Sequence, residues 1–170
     1  MKTQDPMQTH DQKQYLTFKL DGEEYGIDIL AVQEIRSYEP ATRVPKTARH
    51  ILGVINLRGE VVPIVDLRIR FNIPNQGIDK NTVIILVKIA DEKKARTVGM
   101  VVDAVSDVHV IAEEDMGTVP NLKGAMADDY ITGIGTINGK MIILLDVSLV
   151  AHAALIEDMV SKPAAEEEPA

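Results

Sequence analysis

The sequence predicts a mostly all-β protein: two pseudo-repeated, small closed β-barrels of about five short strands each, packed side by side, with short helical turns and one C-terminal helix. Three observations carry this. The 170 residues are 45% hydrophobic but only 4% aromatic, with no Trp, so the core must be built from Val, Ile and Leu, the branched side chains that suit a pleated surface. Apolar residues recur mostly at every second position, the period of strands. The third observation is an internal repeat, in which three segments of the first half recur in the same order in the second.

The first candidate strand, Tyr15 to Leu20, alternates up to the turn Asp21-Gly22, and Glu24 to Ile27 follows it. Thr47 to Leu52 reads as a helical turn, capped by Thr47 and stopped near Gly53. Glu60 to Leu67, Thr82 to Ile89, Thr97 to Val102 and Lys140 to Val147 are further strands, and Ala112 to Met116 a second helical turn. A longer helix is expected at about 147–160. Asp146 or Ser148 starts it, and Leu149, Val150, Ala153, Ile156 and Val160 share one face. Residues 1–14 and 161–170 read as disordered tails, too poor in apolar side chains to pack. The domain between them, 15–160, divides into halves at about 15–80 and 81–150, a division that leaves room for strands to be exchanged.

In the repeat, Gly53 to Leu67 lines up without a gap on Gly133 to Val147, so that Gly53/Gly133, Gly59/Gly139 and Asp66/Asp146 fall at an offset of 80. Upstream, Tyr25 to Ile35 lines up on Val98 to Val108 at an offset of 73, and between them Val44-Pro45 matches Val119-Pro120 at 75. Chance similarity between aliphatic strands explains one match; three in order indicate duplication. Matching hairpins are expected at Arg58-Gly59 and Asn138-Gly139. Small closed barrels suit many short strands better than an open sheet with bare edges, and the strand–long helix alternation of a parallel sheet is absent.

Composition narrows the function classes. With no Cys, disulfides and thiolate metal sites are excluded, and a reducing cytoplasmic setting is the default. The longest apolar runs are five residues, against about 20 for a membrane span, and no secretory signal is visible. The net charge is −8, yet residues 36–70 hold seven basic side chains against three acids. That density is too low for nucleic acid and fits either an acidic protein partner or a mixed solvated surface.

No motif supports catalysis, a metal or a cofactor. His10, His50, His109 and His152 lack metal spacing, and no serine sits in a nucleophile elbow. Gly133-x-Gly135-x-x-x-Gly139 leads into a strand, where a phosphate loop needs a helix start. Glu113-Glu114-Asp115 and Asp128-Asp129 have no His or Lys partner nearby. Arg58 differs. Its repeat equivalent is Asn138, which tolerates the left-handed backbone; arginine pays about 1 kcal/mol there in a type I′ turn, and a type I turn with Gly59 as the bulge residue avoids the strain. Either turn sets a guanidinium on a hairpin tip, a residue type enriched in interface hot spots.

The runs Glu23 to Arg36, Gly53 to Gly59, Val62 to Arg68 and Val101 to Val108 closely resemble the CheW family of bacterial chemotaxis coupling proteins, over about residues 15–150. The resemblance implies two five-stranded SH3-like barrels. It also implies a non-enzymatic adaptor, cytoplasmic and recruited to membrane-associated arrays, that joins the cytoplasmic tips of transmembrane chemoreceptors to the regulatory domain of the histidine kinase CheA. Receptor contact is implied at a groove between the barrels, at Val32, Glu34, Arg58 and Val108. Gly53 and Gly99 are implied receptor-contact positions too, matching places where the backbone passes closely and a side chain would disturb the same groove. Kinase contact is implied around Arg43 and Val44. The repeat makes Val32 equivalent to Val105, so core packing is the competing reading for Val32.

Overall fold

In each half, two apolar segments are joined by two residues that accept positive φ, and the chain folds back on itself there. Leu57 faces Glu60 across Arg58-Gly59, and Ile137 faces Lys140 across Asn138-Gly139. Both central residues have positive φ in each turn (51° and 90°; 52° and 80°). These are type I′ hairpins, matched to the strand twist. A third, at Asp21-Gly22, has φ of 53° and 83°. Arg58 thus adopts the strained conformation, and the bulged alternative is not used.

The computed structural model describes residues 12–74, 77–90, 95–118 and 130–155. Its strands are β1 (Gln12–Leu20), β2 (Glu23–Asp28), β3 (Val32–Ser37), β4 (Ile51–Leu57), β5 (Glu60–Asp66), β6 (Val83–Ile89), β7 (Arg96–Val102), β8 (Ala104–Ala112), β9 (Met116–Gly117), β10 (Ile131–Ile137) and β11 (Lys140–Leu145). A short helix α1 (Leu67–Arg70) follows β5, and a helix α2 covers 147–155. They form two sheets, β8-β1-β2-β11-β10-β9 and β3-β6-β7-β5-β4.

The repeat holds at the level of single residues, and the halves exchange a hairpin. β1–β2 of the first half sits among β8, β10 and β11 of the second, and β6–β7 of the second sits among β3, β4 and β5 of the first. The parallel ladder pairs Leu144 with Gly26 in one sheet and Ile64 with Gly99 in the other. Those positions are related by the offsets of 80 and 73. Each sheet also closes. The chain beyond edge strand β3 reaches the opposite edge, where Thr42 and Val54 exchange two backbone hydrogen bonds of 2.8 and 2.9 Å. In the other sheet β9 plays this part, with Gly117 opposite Ile134, at offsets of 75 and 80 from Thr42 and Val54. Both units are therefore barrels without bare edges on these sides.

Three apolar clusters follow. Ile55, Leu57, Val62, Ile64, Ile84, Leu86 and Val101 fill one barrel; Tyr15, Ile111, Ile142 and Leu144 fill the other. The largest cluster lies between them and mixes Phe18 and Ile27 from one sheet with Val65, Ile85 and Met100 from the other, covered by Val150 and Ala154 of α2. A buried polar clamp joins the two units. The Arg68 side chain, 1% exposed, donates from Nε and Nη2 to Asp66 (3.0 Å each), and from Nη1 to the Gly77 carbonyl (2.8 Å) and Asp103 (3.1 Å). Asp103 in turn accepts the amide of Asp21 at 2.7 Å, tying the β1–β2 tip to the end of β5.

Some expectations are corrected. Thr47 caps no helix: its hydroxyl donates backwards to the Val44 carbonyl at 2.9 Å, Lys46 has φ of 61°, and Ile51 is already in β4, opposite Val65. Residues 12–14 belong to β1 rather than to a tail, because Gln12, Lys13 and Gln14 face Ala112, Ile111 and Val110 in the ladder. β5 and β11 stop at Asp66 and Leu145, since Asp66 and Asp146 turn their carboxylates onto the amides of the helices that follow. The turn at Ala112 to Met116 is present as a 3-10 turn over Glu113–Asp115. Val119-Pro120, Asp128-Asp129, residues 156–160 of the expected helix and the acidic tail lie outside the described residues.

Candidate functional site

The β4–β5 tip and strand β3 meet across the side of one barrel, at the seam where its sheet closes. There the Arg58 Nη2 donates to Glu34 Oε1 at 2.7 Å. Glu34 also lies 3.3 Å from Arg36 Nη1, and Arg36 Nη2 reaches Glu39 at 2.9 Å. Four side chains of alternating sign thus run in a row along the surface. Arg58 is the most open of them, 65% exposed, while Glu34 is half-buried. The hydrogen bond from Arg58 holds the Glu34 carboxyl below its ordinary range, with Arg36 adding to the effect against partial desolvation. Arg36 is held above its ordinary value, first by its bond to Glu39. Glu34 and Arg36 are thus held in their charged forms, and the row presents an ordered charge pattern rather than a reactive group.

The other expected residues divide into walls and surface. Val32 lies two residues before Glu34, and a β-bulge between them shifts the register. It packs against the shared core, as does its equivalent Val105. Val108 stands on β8 in the other sheet, opposite Leu16, and is 44% exposed. The structure therefore brings Glu34 and Arg58 together, turns Val32 to the opposite face of the sheet against the shared core, and places Val108 on the second barrel. Gly53 and Gly99 both lie where a neighbouring segment passes closely. A Cβ on Gly53 (φ 141°) would overlap the Thr42 carbonyl, 2.6 Å from its carbon; one on Gly99 would lie 2.6 Å from Ile64 Cδ1. Both glycines belong to the barrel walls. Arg43 and Val44 are exposed just beyond the Thr42 bridge.

The sequence reading passed over Ile35, Arg36 and Glu39. Ile35 is 42% exposed and occupies the same place in its barrel as Val108, with Ile85 opposite it as Leu16 is opposite Val108. The repeat alignment already carried that signal. Arg36 and Glu39 were legible only as charges spaced around Glu34. Among the described residues no group of three His, Asp or Glu side chains is placed to hold a metal ion, and no helix is long and apolar enough to cross a membrane.

The CheW-like domain family matches residues 14–155. The chain is 44% identical over 135 residues to "Chemotaxis protein CheW" of Klebsiella aerogenes, covering 79% of each chain. It is 34% identical over 142 residues to the protein of the same name from Rhizobium meliloti, covering 84% of this chain and 89% of that one. Among solved structures it is similar to the scaffolding protein TtCheW of Thermoanaerobacter tengcongensis, with a TM-score of 0.73 and 34% identity over 81% of this chain and 91% of that one.

Proposed function

The chain belongs to the CheW-like domain family and is a non-enzymatic chemotaxis adaptor, and we propose that it holds the cytoplasmic tips of chemoreceptors beside the regulatory domain of the histidine kinase CheA. It acts in the cytoplasm and is recruited to receptor arrays there. The observation that carries this reading is the Glu34–Arg58 pair on the barrel seam, an exposed guanidinium already oriented by a carboxylate 2.7 Å away. Held in one rotamer, Arg58 loses little freedom when a partner covers it, which favours binding. On the other face of β3, Val32 and Ile35 offer apolar contact, and Val108 offers the same on the second barrel. Charges around an apolar strip set the register of a bound helical hairpin.

Receptor contact is assigned to Val32, Glu34, Arg58 and Val108, and kinase contact to Arg43 and Val44 on the neighbouring loop. Gly53 and Gly99 serve these surfaces by keeping the barrel walls close. An adaptor gains from holding two partners at once, because tethering raises the effective concentration of one beside the other.

The test is the affinity of Arg58→Glu for a receptor-tip fragment and, separately, for the CheA regulatory domain. Receptor binding should fall at least tenfold, as when one partner of an interfacial charge pair is lost, with kinase binding kept. Because the reversal also sets Glu34 against a like charge, the swap Glu34→Arg/Arg58→Glu is the control. It restores the internal pair and should still bind receptor poorly. Unchanged receptor binding, or equal loss at both partners, would refute the two-surface reading.

A further inference from the structure

The duplication supplies an internal comparison for a cavity of about 480 Å³ in the barrel that contains β1, β2, β10 and β11, lined by Lys13, Tyr15, Asp28, Leu30, Asp146 and Ser148 among others. Asp146 is the repeat equivalent of Asp66, Ser148 of Arg68 and Leu30 of Asp103. The cavity therefore occupies the place that the Arg68 guanidinium fills in the first barrel. There Asp66 accepts the Arg68 amide with Oδ1 and the guanidinium with both oxygens. In the second barrel the backbone part of this arrangement is kept. Asp146 Oδ1 accepts the amides of Ser148 and Leu149 at 3.0 and 3.1 Å, and the Asp146 amide donates to the Tyr130 carbonyl as the Asp66 amide does to that of His50. The guanidinium is missing, because Ser148 is too short to supply it, and Leu30 stands where Asp103 gives the second carboxylate.

We propose that this cavity is a receptor for an arginine side chain presented by a partner protein. Among the described residues, the second oxygen of Asp146 accepts no hydrogen bond and no basic side chain pairs with it. Asp28 gives one oxygen to the Leu30 amide at 2.9 Å, and its other lies 4.0 Å from Lys13. With two carboxylates and one ammonium at the cavity, the local charge favours an incoming cation. A metal ion has no set of three ligands among the described residues. A planar fork that takes both oxygens of one carboxylate is the geometry Arg68 already shows on Asp66, and arginine meets it better than lysine. Leu30 indicates a protein as the source. It replaces the second carboxylate of the first barrel and stands 89% exposed at the cavity, an apolar surface that a protein segment would cover and a free cation would leave wet. None of the residues assigned to receptor or kinase contact lines this cavity, so the inference stands independently of those assignments.

The test is amide NMR on the full chain with three probes: a blocked arginine amide, the blocked citrulline amide of nearly the same shape, and a blocked helical peptide carrying Leu and Arg four residues apart. The arginine amide should give saturable shifts at Leu30, Ser148 and Leu149, and the citrulline amide none. Asp146→Asn keeps an oxygen for the helix amides and should weaken the arginine probe roughly tenfold, the loss of a charge-assisted bond. Ser148→Arg should fill the cavity from within, abolish binding and raise Tm. The peptide should bind more tightly than the amide and lose that gain in Leu30→Ser. Absent or citrulline-like shifts overturn the proposal, as does binding retained in a folded Ser148→Arg protein. Free L-arginine binding as tightly as the peptide would assign the cavity to a small molecule and overturn the partner reading.

Discussion

Replacing Gly53 by alanine should unfasten one barrel at its seam, while the same change at the equivalent Gly133 should be nearly silent. At Gly53 the new Cβ would overlap the Thr42 carbonyl and lie 3.1 Å from the Arg43 Cα, all backbone that cannot rotate aside. Relief means pushing residues 42–43 off β4, which breaks the two Thr42–Val54 backbone bonds. At about 1 kcal/mol net for each bond, plus about 1–3 kcal/mol for a non-glycine residue held at φ 141°, the cost is about 3–5 kcal/mol. In a domain of this size that lowers Tm by roughly 6–20 °C. At Gly133 the nearest atom is the Gly117 carbonyl oxygen at 3.2 Å, which a small shift accommodates for about 1 kcal/mol or less. Urea denaturation followed by circular dichroism measures both. Equal costs at the two glycines, or a Gly53→Ala protein within 1 kcal/mol of the parent, would refute the closure argument. Because Arg43 and Val44 ride on the displaced segment, Gly53→Ala should also weaken kinase-domain binding at temperatures where the protein is still folded.

Gly99→Ala meets side-chain ends, Ile64 Cδ1 at 2.6 Å and Ile84 Cγ2 at 2.9 Å, so overpacking should cost about 1–3 kcal/mol in the same assay. Arg68→Ala leaves Asp66 and Asp103 without their buried partner and should cost about 3–5 kcal/mol, whereas Arg68→Met combined with Asp66→Asn should recover part of that loss. The Glu34 carboxyl should titrate below the ordinary glutamate range by NMR and move back up in Arg58→Ala. Its depressed value means that any stability it contributes is present above its unfolded pKa and is lost as pH falls through the folded one. Tyr25 should ionise above its ordinary value, chiefly because burial disfavours the phenolate. Its contribution is full below the unfolded pKa and is lost as pH rises through the folded one, so alkaline unfolding should begin above about pH 10.

The duplication was legible because it is written in residues with few substitutes. Gly26 and Gly99 each sit under a branched side chain of the neighbouring strand, and Asp66 and Asp146 each cap a helix. The sequence left room for strand exchange, but which hairpins exchange was not legible, for a physical reason. Gly26 fits under Leu144 as Gly99 fits under Ile64, so either hairpin presents a workable face to either half, and local pattern does not distinguish them. The misreading at Thr47 has a similar origin, since a hydroxyl that caps a helix in one context closes a turn onto a carbonyl in another. At the site, Arg58 stood out as the position where the repeat departs from Asn138. Its partner Glu34 lies 24 residues away on a strand that the alternation did not mark, and only the closed sheet brings them together.

Where two copies of one unit keep the same backbone, the positions at which their side chains part are those freed for separate use. Arg58 accepts a strained turn that Asn138 takes more easily, and a stable fold alone gives no reason to keep it. Arg68 spends its charge inside the molecule, locking the β1–β2 tip to the end of β5 through Asp103, while Ser148 leaves the corresponding carboxylate open. One barrel is thus sealed at this place and the other is not. The sealed position stiffens the junction across which Val32 and Val108 must keep their spacing if one partner is to touch both. If that is the purpose of the clamp, Arg68→Met with Asp66→Asn, stable but without the tie to Asp103, should fold normally and yet bind a receptor-tip fragment more weakly. Receptor affinity equal to that of the parent would show that the two barrels are held by their shared apolar core alone.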